Sequence, residues 1–177
     1  MERYVYKDVS SPLNLRVLVV EPAETIDAPL RCSIQEVSWI RRNKKQTAAY
    51  DALSYTWGAP VREYPLLCDG QTVLVTRNCV SALRYLRLQR EKLVIWVDAV
   101  CIDQESIADK NFWVPAIGLI FSCARHVYIW LGESGEATAG LFKALKYERS
   151  WMAVLPRNVA KFLAPCMAQS NLGSSSY

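Results

Sequence analysis

Asp98, Cys101, Asp103 and Gln104 follow directly on the apolar run Leu93–Val97. Two carboxylates, a thiol and a carboxamide in so short a stretch are the groups that orient ligand hydroxyls, take up protons or attack carbonyls. Asp98 can serve a ligand in this way. It can equally hold the loop by accepting backbone N–H bonds. Cys101 stands between the apolar Val100 and Ile102 with no base beside it, and the single histidine, His126, opens another segment. That setting favours a buried structural thiol over a nucleophile. A second group lies earlier, at Ser54, Trp57 and Gly58. The indole can stack on a base or a nicotinamide, or it can cap the core while glycine permits a tight turn. Glu133 and Glu136 follow the segment Val127–Leu131 and read as solvated loop charges that could enter a site.

These groups need elements to position them. Leu13–Val20 is rich in β-branched residues and reads as a strand stopped by Glu21-Pro22. A second strand is expected over Leu30–Ile40, and the polar run Arg41–Thr47 as a loop. Tyr50–Tyr55 is a short apolar segment closed by Gly58 and Pro60. Asp69-Gly70, between two apolar runs, predicts a tight β-hairpin over Pro65–Thr76. Asn78 stands where a helix cap is expected, ahead of Val80, Leu83 and Leu86 at helical spacing. Leu93–Val97 and Val127–Leu131 read as buried strands, with Trp96 and Trp130 in the core. Ser106 and Asp109 fit a capping box that opens a helix, and Pro115 must kink or restart that helix. A short helix is expected over Thr138–Tyr147. The alternation predicts α/β architecture, a mainly parallel sheet flanked by helices with an added β-hairpin. The strands Leu93–Val97 and Val127–Leu131 should lie adjacent and parallel.

Composition narrows the function classes. A chain of 177 residues, 51% hydrophobic and 21% charged, can build a real core. The net charge of +4 has its clearest source in Arg41, Arg42, Lys44 and Lys45, too weak a basic face for a nucleic-acid binder. The six cysteines, Cys32, Cys68, Cys79, Cys101, Cys123 and Cys166, show no C-x-x-C spacing, so no metal site is expected and all are read as free thiols. No apolar run reaches the length of a membrane span and no signal core opens the chain, which points to the cytoplasm.

Three blocks carry a resemblance: Y-D-A-L-S-Y-T-W-G at Tyr50–Gly58, V-I-W-V-D-A-V-C-I-D-Q at Val94–Gln104 and A-R-H-V-Y-I-W-L-G-E at Ala124–Glu133. With the hairpin turn Asp69-Gly70 and the stretch Val75-Thr76-Arg77-Asn78, they resemble the fungal heterokaryon-incompatibility (HET) domain. The resemblance covers about residues 13–133. It implies a module of fungal self/non-self recognition and programmed cell death, a form of innate immunity and allorecognition, acting through self-association or protein partners. The first block is also similar to the opening strand of Toll/interleukin-receptor (TIR) domains, which implies a flavodoxin-like sheet with ligands beyond the carboxyl ends of its strands. Ser54, Trp57, Gly58, Asp98, Cys101, Asp103, Gln104 and Asp109 are then the candidate functional edge.

Some TIR domains cleave NAD with a glutamate on a later helix, so the analogy also implies an NAD(P) glycohydrolase, or an inactive truncated relative. The sequence departs from the family pattern. Asp103 stands where the family has asparagine, and Asp109, Lys110 and Trp113 stand where it has Glu, Arg and Gln, although Asn111 and Val114 match. The W-F-x-R-x-W-x-x-Q-E segment is not found, since Trp151 is followed by Met152-Ala153-Val154-Leu155-Pro156. Little NAD hydrolysis is therefore expected. The domain is expected over residues 1–148, with a divergent or truncated segment at 149–177 and a flexible tail from 169.

Overall fold

Leu15 to Val20 are buried without interruption, so their strand must be covered on both faces. In the computed structural model, which describes residues 2–38, 50–58, 61–132 and 159–162, it lies near the middle of an eight-stranded sheet flanked by helices. The strands are β1 (Asn14–Val20), β2 (Arg31–Ser38), β3 (Asp51–Tyr55), β4 (Tyr64–Cys68), β5 (Gln71–Val75), β6 (Leu93–Trp96), β7 (Val127–Trp130) and β8 (Val159–Phe162). Their order is β5-β4-β2-β1-β6-β3-β7-β8. The helices are α1 (Arg77–Leu86), the single turn α2 (Asp98–Cys101), α3 (Ile107–Trp113) and α4 (Ile117–Cys123).

The expected mainly parallel sheet is corrected to a mixed one. β6, β3, β7 and β8 form a parallel half. In the other half, β1 is antiparallel to both β2 and β6, and β4 is antiparallel to β5. The link between β1 and β2 is too short for the crossover of about a dozen residues or more that parallel pairing demands, so the two fold as neighbours. β6 and β7 run parallel as expected, but they are not adjacent. β3 lies between them, with Ala52 opposite Trp96 on one side and Val127 on the other. The reason is burial: Tyr50, Ala52 and Leu53 are 0–1% exposed and fit only a central strand.

The Asp69-Gly70 hairpin forms as expected, both residues taking positive φ (52° and 81°) at the tight turn. The cap of α1 differs. Thr76, not Asn78, accepts the N–H of Cys79. Asn78 sits inside the first turn and donates to the Thr56 carbonyl at 2.9 Å, tying the helix start to the end of β3. Pro115 does break its helix, which passes through a 3₁₀ turn at Val114–Ala116 before restarting as α4. Trp96 and Trp130 are core residues, 1% and 3% exposed. The helix expected at Thr138–Tyr147, the loop Arg41–Thr47, Cys166, Glu133, Glu136 and the tail 169–177 lie outside the described residues. Cys32, Cys68, Cys79, Cys101 and Cys123 are free thiols. Among the described residues no helix is long and apolar enough to cross a membrane.

Candidate functional site

β3 and β6 run side by side in the same direction, so their carboxyl ends deliver Trp57 and Asp98 to one place. The Trp57 indole N–H donates to Asp98 Oδ2 at 3.2 Å, and Asp98 Oδ1 accepts the Ala99 N–H at 2.7 Å. Gln104 Nε2 donates back to the Asp98 carbonyl at 2.8 Å, closing the loop that follows α2. Burial raises the Asp98 carboxyl above the usual carboxylate range. The Ala99 and Trp57 N–H groups and the charge of Arg62 oppose that rise without cancelling it.

Arg62 was not among the expected site residues. Its guanidinium lies 4.9 Å over the Trp57 ring and donates to Gln104 Oε1 at 3.3 Å. No periodicity or motif marks it, because it stands in the link between β3 and β4 and reaches the site only through the fold. The Trp57 ring also stacks on Tyr55 at 6.4 Å.

Asp103 and Asp109 form a second group beside the first. The expected capping box at Ser106 is half made. Ser106 Oγ accepts the Asp109 N–H at 3.1 Å, but the Asp109 carboxylate does not return to the Ser106 backbone. It accepts two bonds from Arg16, at 2.7 and 3.1 Å, and the Asp103 N–H at 2.7 Å. The Ser106 N–H goes to the Asp103 carbonyl instead. Arg16 and Asp109 are only 7% and 15% exposed, so a buried bidentate pair fixes the Asp103–Gln104 loop against β1. Arg16 also donates to the Cys101 carbonyl at 3.2 Å.

Cys101 is 2% exposed, and burial pushes its thiol up to about 12, so it is a packed thiol and not a nucleophile poised at neutral pH. His126 does not approach it. That ring meets Asp51 at 3.0 Å, at the amino ends of β3 and β7. Trp57, Asp98 and Gln104 thus come together, with Asp103, Asp109 and the Cys101 carbonyl behind them. Gly58 takes φ +67 with Asn78 Nδ2 3.1 Å from where a Cβ would stand. Ser54 stays within β3, opposite Ile129, and joins neither group. Among the described residues no group of three or more histidines, cysteines or carboxylates is placed to hold a metal ion.

The profile of the family described as Heterokaryon incompatibility protein (HET) matches residues 50–162. Heterokaryon incompatibility protein 6, OR allele, from Neurospora crassa is 30% identical over 145 residues, covering 75% of this chain and 21% of that protein. The chain therefore spans about 21% of that relative's length. No solved structure matches the chain.

Proposed function

The chain belongs to the heterokaryon-incompatibility (HET) family, and from that membership we propose that it is a signalling module of fungal self/non-self recognition that triggers cell death through self-association or a protein partner. The observation that carries this reading is the family match over residues 50–162, which takes in all three motif blocks. The similar Neurospora crassa protein, named for heterokaryon incompatibility, supports the heterokaryon-incompatibility part of this reading. The Trp57–Asp98–Gln104 edge is then the working face. Inducible expression of the chain in hyphae of a filamentous fungus, scored by uptake of a vital dye, is expected to kill cells. Trp57→Ala is expected to abolish killing at equal protein level. Undiminished viability on expression of the wild type overturns the reading.

The parallel half of the sheet favours a second reading, a TIR-like NAD(P) glycohydrolase. Numbered along the chain, β3, β6, β7 and β8 stand in the order second, first, third, fourth, as in flavodoxin-like folds, whose ligands sit beyond the carboxyl ends of the strands. Trp57 and Asp98 occupy that position. Nicotinamide release from NAD by the pure protein, lost in Asp98→Asn, would put this reading first.

A further inference from the structure

Beside the candidate edge the N-terminal segment runs along β5, with the Tyr4 N–H donating to the Thr72 carbonyl at 2.9 Å and the Thr72 N–H to the Glu2 carbonyl at 2.8 Å. Between that segment, β5 and the loop after α2 lies a cavity of about 250 Å³. Its walls carry two arginines and two carboxylates, and their charges are not equally satisfied. Arg3 is ion-paired with Glu105. Asp103 Oδ1 accepts the Glu105 N–H at 3.0 Å. Arg62 makes no salt bridge among the described residues. It has five N–H donors in a planar fork and gives one of them to Gln104. Stacking on Trp57 holds that fork in place before any ligand arrives, which lowers the entropic cost of binding.

Thr72 is also on the wall. It is 9% exposed, and its hydroxyl is buried with no hydrogen-bond partner among the described residues. A buried hydroxyl left unsatisfied is destabilising. The Tyr4 and Tyr6 rings, edge to face at 5.0 Å, give the cavity an apolar side.

We propose that this cavity binds a small phosphorylated, hydroxyl-bearing ligand of sugar-phosphate size, its phosphate on the Arg62 fork. A guanidinium fork matches phosphate oxygens two at a time. The free lone pairs of Asp103 suit ligand hydroxyls. The volume lies below the roughly 300–1,000 Å³ common for ligand pockets, which excludes a dinucleotide held whole. Binding of such a ligand does not depend on a role in incompatibility.

Calorimetric titration of the chain with ribose 5-phosphate tests it. Saturable one-to-one binding is expected, weaker for inorganic phosphate and absent for ribose. Arg62→Gln should weaken binding about tenfold or more, the scale of a lost charge-assisted bond. Thr72→Val should leave both binding and the melting temperature level or raised, because it removes a buried hydroxyl that a ligand does not reach and keeps the shape. Absence of saturable ribose 5-phosphate binding overturns the proposal, as does an affinity unchanged in Arg62→Gln.

Discussion

Two carboxylates stand at opposite ends of the parallel half-sheet, and they are treated differently. Asp51, at the amino end of β3, is 3% exposed and fully answered. Arg125 grips both its oxygens at 2.9 and 2.8 Å, and the His126 ring meets it at 3.0 Å. Asp98, at the carboxyl end of β6, is held by two neutral N–H donors, with the Arg62 guanidinium turned to the Trp57 face. The first arrangement is a clamp that fastens the start of β7 to β3. The second leaves a carboxyl raised by burial beside a cation with no ion pair among the described residues, and such under-compensated charge is the commoner mark of a working site.

The largest expected effect tests whether the candidate edge has a scaffold of its own. Asp109→Ala leaves Arg16 buried and unpaired, and should cost about 3–5 kcal/mol in denaturant unfolding. A loss within experimental error would mean that the Asp103–Gln104 loop holds itself. Next comes the amino-end clamp. Arg125→Ala strips the buried Asp51 of its bidentate partner and should cost about 2 kcal/mol, less than a fully buried pair because the Arg125 side chain is 41% exposed. It should leave cell killing in proportion to folded protein. Killing lost without loss of stability would move function to the amino end and reverse the comparison.

Asp98→Asn should change stability less, by about 1 kcal/mol, since one of two hydrogen bonds is lost while the burial cost of the charge is relieved. Its pH dependence is the sharper readout. The folded carboxyl binds its proton more tightly than the unfolded one, whose pKa is about 3.9. Wild-type stability contributed by this group is therefore greatest in acid and falls as pH rises through the carboxylate range. Thermal melts at successive pH values should show that decline in the wild type and a shallower one in Asp98→Asn. Parallel curves would show that Asp98 titrates normally. The smallest effect is expected at the hairpin: Gly70→Ala forces a Cβ into φ +81 and should cost roughly 1 kcal/mol without touching either edge.

Local elements were legible because local rules govern them. Asp-Gly at 69–70 demands a tight turn, Pro115 cannot continue a helix, Ser106 caps the segment behind it, and an apolar run such as Leu93–Trp96 must be buried. Trp57, Asp98 and Gln104 could be nominated together because each follows a strand and parallel strands align their ends. Even within this local range, Thr76 displaced Asn78 as the cap, since either side chain satisfies the first-turn amides and Asn78 found the Thr56 carbonyl.

What the sequence by itself determined is therefore most of the strands and helices up to Trp130, their buried faces and the motifs at the strand ends, but neither the turn α2 nor β8. Tertiary structure alone decided how those pieces meet. The sheet became mixed because β1 pairs backwards with β6, a choice no single strand records. Asp109 left its capping box for Arg16 because a guanidinium buried from another strand outcompetes a nearby backbone amide. Arg62 joined Trp57 from a segment with no motif of its own. Hydrogen bonds and charges act over a few ångströms of space, and only the folded chain sets which residues are that close.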